Sequence, residues 1–170
     1  MKTISVVSAV MLVLVIAFAV TVEAQIPKEG SSSMSFVYSA TYKALPMGPM
    51  GQERLQMTYE NMGVIMGDTG NEILHNTSVR CLGALHAVKG ATNNSGFCVG
   101  TRPDGDQIFW TYQSTGKMGA GSKGTSTIVG GTGKFIGIQG SSEYTDLPLR
   151  PAAEGTFQGY SKVKGQYKLP

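Results

Sequence analysis

Residues 128–140 have the sequence Ile-Val-Gly-Gly-Thr-Gly-Lys-Phe-Ile-Gly-Ile-Gln-Gly. This stretch places a glycine-dense turn between two runs of β-branched and apolar residues. Glycine adopts positive φ without the steric penalty of a Cβ atom, so Gly130, Gly131 and Gly133 allow a tight reversal. The apolar residues on either side suit the half-buried surface of a pleated sheet. The stretch therefore predicts a β-hairpin.

The rest of the chain continues this pattern, with short apolar or alternating runs divided by turn residues and no convincing helical period. We predict an all-β fold, a small eight-stranded antiparallel β-barrel, because closure removes the exposed edges of an open sheet. A β-sandwich is the alternative. The predicted strands cover residues 34–45, 54–66, 73–88, 96–102, 107–113, 124–129, 134–145 and 155–167.

The first residues predict a secretory signal peptide. Lys2 supplies a positive start, residues 4–22 are almost uninterruptedly apolar, and Val22-Glu23-Ala24 has the small-x-small form of a cleavage site. An uncleaved membrane anchor is the alternative, since the apolar run approaches the ~20 residues of a spanning helix. We expect a secreted or periplasmic protein with no stable membrane insertion after cleavage. The predicted divisions are a signal peptide at 1–24, a flexible leader at 25–33 and a single barrel domain at 34–170.

Charge and motifs exclude some partners. The net charge of +3 is spread along the chain, and no basic cluster is interleaved with aromatic residues. We therefore expect no nucleic-acid partner. The glycine-rich turn lacks the glycine spacing and the Ser or Thr of a phosphate loop, so no nucleotide site is predicted there. No cofactor is expected.

The chain has two cysteines, Cys81 and Cys98. In an oxidising compartment these predict an intramolecular disulfide. A metal site would need further ligands at suitable spacing, and nothing near either cysteine provides them, so no metal is predicted. If the cysteines lie opposite each other in a hairpin, Leu82 opposes Phe97 and Arg80 opposes Val99.

This register gives the hairpin two faces. One carries Arg80, Leu82, His86 and Phe97, and we predict that it faces the core because the other face carries the two cysteines and three glycines. The following turn at residues 102–106 allows two registers. A two-residue Asp-Gly loop places Val99 opposite Trp110, whereas a type I turn with a Gly105 bulge exchanges Trp110 for Phe109. We prefer the first, because Ile108, Trp110 and Tyr112 form the more apolar face.

Residues 128–140 also resemble the hairpin shared by plant allene oxide cyclases and dirigent proteins, in which a Gly-Gly-Thr/Ser-Gly turn precedes an aromatic residue and a later glycine. The matching residues are Gly130, Gly131, Thr132, Gly133, Phe135 and Gly140. The resemblance implies a calycin-type eight-stranded barrel that holds a hydrophobic small molecule, and a homo-oligomer, either a dimer or a trimer. Some of these proteins steer cyclisation or coupling without a cofactor. Outside this hairpin no motif aligns, so the catalytic residues of these families are not carried over to this chain.

We expect an exported barrel that binds a hydrophobic or aromatic small molecule in its interior. Whether it is an enzyme stays open, with a cofactor-independent isomerase, cyclase or lyase favoured. His86 is the candidate for proton transfer and Arg80 for charge stabilisation, and Tyr112 completes the candidate catalytic set. The candidate ligand-binding residues are Trp110, Tyr38, Tyr42, Tyr59 and Phe97.

Two other functions fit the sequence. A non-catalytic, lipocalin-like carrier or a structural module would have a continuous apolar interior, with Arg80 and His86 outside. A copper-binding protein is the third hypothesis, because six methionines fall between Met34 and Met66, including Met47 and Met50, and thioethers bind Cu(I). Methionine more often supplies adaptable lining for a core or an apolar pocket.

Overall fold

The computed structural model describes residues 26–46 and 53–170. The predicted signal peptide lies outside these residues, and so do Met47 and Met50. Within the described residues, no helix has the length and apolar character needed to cross a membrane.

The fold is a closed antiparallel barrel, as predicted. Each strand pairs with its neighbours in sequence, and β1 also pairs with β8, which closes the sheet. A short 3₁₀ helix at Gly133–Phe135 lies between the sixth and seventh strands. The strands are β1 (Glu29–Pro46), β2 (Arg54–Gly67), β3 (Thr77–Val88), β4 (Ala91–Thr101), β5 (Gln107–Lys117), β6 (Gly121–Gly131), β7 (Gln139–Leu149) and β8 (Thr156–Lys168).

β1 and β4 each begin five residues earlier than predicted. β1 starts at Glu29 rather than Met34, so part of the predicted leader is paired with β8, whose last residue, Lys168, opposes Glu29. β4 starts at Ala91 rather than Gly96, because β3 and β4 are joined by only Lys89 and Gly90, both at positive φ (50° and 79°). The polar residues that suggested a longer loop belong to the strand.

The 128–140 stretch reverses the chain, but through a wider connection than a tight hairpin. Ile128 pairs with Gly140, and the residues between β6 and β7 include the 3₁₀ helix. Phe135 is 0% exposed and joins the buried core cluster with Ile108 and Ile138. The Arg102 guanidinium lies 5.4 Å from the centre of the Phe135 ring and also donates a hydrogen bond to the Ile73 carbonyl. The apolar residues after the turn therefore close one end of the barrel instead of starting a strand.

The disulfide prediction is confirmed, but the predicted core face is wrong. Cys81 and Cys98 are bonded and directly opposed. Both are buried, whereas Leu82 is 58% exposed and Phe97 43% exposed on the outer wall. The inner face of this hairpin is made of small residues because aromatic rings from adjacent strands lie against it. A Cβ atom at Gly83 would stand 2.2 Å from the Tyr112 hydroxyl.

The preferred register between β4 and β5 is also wrong. Val99 pairs with Phe109 and Cys98 with Trp110, the register of the alternative turn. Gly105 has the positive φ of 91° that this turn needs, and its N–H donates to the Arg102 carbonyl. Trp110 nevertheless faces the barrel interior, as predicted. The predicted inner face of β4 and the predicted register between β4 and β5 are both wrong, and the two errors cancel for this residue.

The closed end allows a test of the buried aromatic. Replacing Phe135 with Ala should lower the free energy of unfolding by about 3–5 kcal/mol, because a fully buried ring is lost and leaves a cavity. Urea denaturation measures the change. The neighbouring Ile136 is 67% exposed, so Ile136→Ala is the matched control and should change stability by less than about 0.5 kcal/mol. Equal losses in the two variants would contradict the assigned role of Phe135.

Candidate functional site

The barrel encloses a cavity of about 660 Å³. This volume lies within the range of about 300–1,000 Å³ that is usual for small-molecule sites. The 3₁₀ connection closes one end. The exposed residues that line the cavity, including Met118 in the β5–β6 turn and Arg150 after β7, mark the open end.

Large aromatic side chains line the cavity, and glycines on neighbouring strands give them room. The Tyr112 ring lies over Gly83 and Gly96, which oppose each other in β3 and β4. Three more glycines each lie beneath an aromatic ring, and a Cβ atom on any of them would stand 2.8 Å or less from that aromatic side chain. These pairs are Gly159 with Tyr38, Gly124 with Tyr144, and Gly100 with Trp110. The rings therefore lie along the wall and leave the centre open.

One carboxyl group projects into this cavity, that of Asp146 on β7. Tyr38 Oη and Ser161 Oγ each donate a hydrogen bond to Asp146 Oδ1, both at 2.8 Å. Ser161 lies directly opposite Asp146 on β8, and Tyr38 reaches across from β1 over Gly159. Closure of the barrel between β1 and β8 thus brings Tyr38 to a carboxyl group that lies 108 residues away in sequence.

Burial makes this carboxyl group harder to ionise. Loss of solvation raises the pKa of Asp146, and the hydrogen bonds from Ser161 and Tyr38 oppose this only in part. Burial, reinforced by the Asp146 charge, raises the pKa of Tyr38 well above its usual value. Tyr38 is therefore a hydrogen-bond donor at neutral pH, and Asp146 is the group in this cluster that can gain or lose a proton.

A second polar group on the wall is built from two tyrosines and an asparagine. Tyr59 Oη donates to Asn94 Oδ1 at 2.5 Å and lies 2.6 Å from Tyr112 Oη. Because Tyr59 gives its own proton to Asn94, Tyr112 is the donor in the second bond. Burial raises the pKa of both hydroxyls, and it raises the pKa of Tyr144 to about 12. All three phenols stay neutral near pH 7.

The structure brings together five of the eight predicted catalytic and ligand-binding residues. Those that line the cavity are Trp110, Tyr112, Tyr38, Tyr42 and Tyr59. Whether they bind a ligand stays a prediction.

The predicted interior positions of Arg80, His86 and Phe97 are wrong. The Arg80 side chain is 67% exposed and is paired with Glu60, and Phe97 stacks on Phe109 with ring centres 6.4 Å apart on the outer wall. His86 shares the outward face of β3 with Arg80. The physical reason is that the apolar face of this hairpin faces outward and its small-residue face faces the cavity.

Several cavity residues were missed from the sequence. Asp146, Ser161, Asn94, Tyr144 and Phe157 all line the cavity. The inner positions of β7 are Gly140, Ser142, Tyr144, Asp146 and Pro148, so no apolar stripe marks them. The available signal was alternation, because Asp146 lies two residues beyond Tyr144 and therefore on the same face.

The methionines do not form a common site in the described part of the chain. Met34 and Met57 line the cavity, whereas Met62 and Met66 are 60% and 43% exposed on the outer wall. Within the same residues, no three His, Cys, Asp or Glu side chains are grouped as metal ligands would be.

The molecule is thus a closed eight-stranded barrel with an internal cavity, and its fold is dirigent-like. A solved structure, that of the pterocarpan synthase dirigent protein GePTS1, superimposes with a TM-score of 0.53 at 10% sequence identity, covering 86% of this chain and 90% of that one. At this identity the similarity concerns the fold alone. A comparison with protein-family models finds no match, and a comparison with the curated proteins finds none either.

The raised pKa of Asp146 predicts a pH-dependent stability. A carboxyl group that holds its proton more tightly when folded contributes stability that is present below its unfolded pKa of about 3.9 and is lost as the pH rises through its folded pKa. Asp146→Asn mimics the protonated form and keeps the oxygen that accepts from Tyr38 and Ser161. The variant should therefore unfold at a higher temperature than the wild type at pH 7, and the difference should vanish near pH 4.

Thermal unfolding followed by circular dichroism over this pH range measures the effect. Glu143→Gln, on the exposed face of the same strand, is the matched control and should differ little from the wild type throughout. A lower unfolding temperature for Asp146→Asn at pH 7 would contradict the prediction.

Proposed function

We propose that the barrel binds a hydrophobic or aromatic small molecule and catalyses a cofactor-free isomerisation, cyclisation or elimination, with Asp146 as the proton-transfer group. One observation carries this proposal. A buried carboxyl group, hydrogen-bonded by Tyr38 and Ser161, projects into a cavity of about 660 Å³ walled by aromatic rings.

The wall supports the binding step. Phe157 contacts Tyr38, Tyr42 and Tyr59, with ring centres 6.2, 6.0 and 5.7 Å apart. Trp110 and the disulfide add further apolar surface. Aromatic rings bury a large area and favour offset or edge-to-face contacts, so they restrict the orientation of an aromatic or flat apolar ligand. Fixed orientation is itself a source of rate acceleration.

The polar groups support the chemical step. Protonated Asp146 can donate to a developing carbanion or alkoxide, and the ionised form can accept a proton from carbon or from a hydroxyl group. The bond from Tyr38 stabilises the carboxylate that results. The neutral phenol of Tyr144, which also lines the cavity, can donate a hydrogen bond to an oxygen on which negative charge develops. Asp146 thus takes the role that the sequence had suggested for His86.

The fold similarity adds support of a general kind. The structure of similar fold carries the name pterocarpan synthase, which indicates that a dirigent-like barrel can take part in a synthetic reaction. Since only the fold is shared, the substrate of this chain is proposed from its own cavity.

A carrier without chemistry is the second candidate. Arg80 and His86 lie outside, as that hypothesis expected, and the cavity near the closed end is apolar, with Met34, Ile73 and Leu74 among its lining. The Asp146 cluster and the tyrosine–asparagine cluster are not expected of a purely apolar carrier. The two functions share the binding step and differ in whether the ligand is changed.

Export and self-association are part of the proposal. The Cys81–Cys98 disulfide supports a secreted or periplasmic protein, because such bonds persist in oxidising compartments. A homo-oligomer is supported by apolar side chains on the outer wall, where Val37, Met62 and Leu82 are 52–60% exposed.

Filling the cavity tests the binding step. Ser126 lines the cavity, where its hydroxyl bonds to that of Ser142, so Ser126→Phe places a ring inside the barrel. This variant should bind the neutral fluorescent probe phenylnaphthylamine at least about tenfold more weakly than the wild type. The added ring occupies space that the probe needs, and the surrounding side chains cannot move aside without strain. Thr127→Phe, on the outer face of the same strand, is the control and should keep wild-type affinity. Equal affinities for all three proteins would place the bound probe elsewhere.

A turnover assay with the small molecule that copurifies with the protein, identified by mass spectrometry, tests the chemical step. The small molecule is extracted from the purified protein, identified and returned to fresh protein. Asp146→Asn should keep the binding affinity but lower turnover by about 10²–10⁴-fold, the usual contribution of a general acid or base. His86→Ala should be unchanged, because that side chain faces away from the cavity. Recovery of the ligand unaltered by the wild type would instead favour the carrier.

A further inference from the structure

Two cations line the mouth of the cavity, Lys117 at the end of β5 and Arg150 directly after β7. We call this pair the cationic rim. The strands that carry them are both paired with β6, so the two residues lie on the same side of the mouth, on the order of 10 Å apart. Among the described residues, neither side chain has a carboxylate or hydrogen-bond partner.

The surroundings of the cationic rim strengthen its field. Met118, Leu149 and Pro151 line the same opening, and Met118 and Leu149 are 46% and 49% exposed. Charges set in low-dielectric walls around a cleft focus the potential into it. The described turns at this end also carry Lys89, Glu53 and Glu154, but these three are not among the residues that line the cavity. Among the described residues, the charged groups that line the opening itself are therefore positive.

The charge deeper in the cavity has the opposite sign. Asp146 is on β7, four residues before Arg150 in sequence. At roughly 3.3 Å per residue, it lies about 13 Å deeper in the barrel than the backbone of Arg150. An anionic group placed beside Asp146 would face a carboxyl group of like charge, whereas one placed at the rim would face two cations. A ligand with one acidic end is therefore held with its apolar end inside.

We propose that the ligand of this cavity is an amphipathic organic carboxylate, with its apolar or aromatic body inside the barrel and its carboxylate at the cationic rim. This inference rests on the proposed function and adds the chemical class of the ligand and its direction. Arg150 is the principal partner of the carboxylate, since a guanidinium group can bind it in a bidentate manner, and Lys117 adds a second charge.

Displacement of phenylnaphthylamine by a matched pair of competitors tests the proposal. Phenylhexanoate and phenylhexanol have the same body and differ only in the charged end. At pH 7 and low salt, the wild type should bind the acid about tenfold more tightly than the alcohol, and the preference should shrink as salt is added. In the double variant Lys117→Gln/Arg150→Gln the acid should lose this advantage while the alcohol is bound as before.

The control is the double variant Lys164→Gln/Lys168→Gln, which also removes two positive charges, from exposed positions of β8, and should keep the preference. The proposal is overturned if acid and alcohol displace the probe equally from the wild type, or if the preference survives in Lys117→Gln/Arg150→Gln. Either result leaves interior binding intact as long as the alcohol displaces the probe. If the probe does not bind to the wild type at all, the proposed function and this inference fail together.

Discussion

The cavity depends on the fit between interior aromatic rings and the glycines beneath them. Eight strands enclose a space only just wide enough for side chains to fill or for one small ligand to occupy. Nine aromatic residues of the described chain line this cavity, and they would fill it if they pointed to its axis. Gly83, Gly96 and Gly159 remove the Cβ atoms that would otherwise push the rings inward. The absence of side chains at these positions is therefore what leaves an open cavity where the rings would otherwise form a solid core.

The same arrangement explains why polar groups can exist inside the barrel. A tyrosine ring that lies along the wall holds its hydroxyl group close to polar side chains on neighbouring strands. The Tyr38 hydroxyl therefore donates to Asp146, and the Tyr59 hydroxyl donates to Asn94. An unpaired buried carboxylate would be costly, but this one accepts two hydrogen bonds. Burial still raises its pKa, because two neutral donors do not replace full hydration. The packing that places the aromatic rings along the wall therefore also provides the hydrogen bonds that the titratable carboxyl group needs.

The barrel, its strand count and the disulfide register could be predicted because each follows from a local pattern. Alternation, turn glycines and a pair of cysteines specify neighbours along the chain. The inner face could not be predicted by the usual criterion, which places the more apolar face in the core. In β3 and β4 the more apolar face, with Leu82 and Phe97, is outside, and the glycines are inside to receive rings from β2 and β5. Asp146 was missed because no apolar stripe marks the inner face of β7 and because its partner Tyr38 lies 108 residues away in sequence.

The two ends of the barrel use the same residue types differently. At the closed end, Arg102 lies over Phe135 and pairs with Asp104, which also accepts a bond from Lys134 at 2.7 Å. The bond from Lys134 holds the pKa of Asp104 below its usual value, so this cluster stays ionised and fixed over the buried ring. At the open end, Lys117 and Arg150 have no such carboxylate in the described structure and stand among exposed apolar side chains. Cations that pair with a carboxylate at the closed end stabilise the fold, whereas those at the mouth are the groups to which our proposal assigns the carboxylate of a ligand.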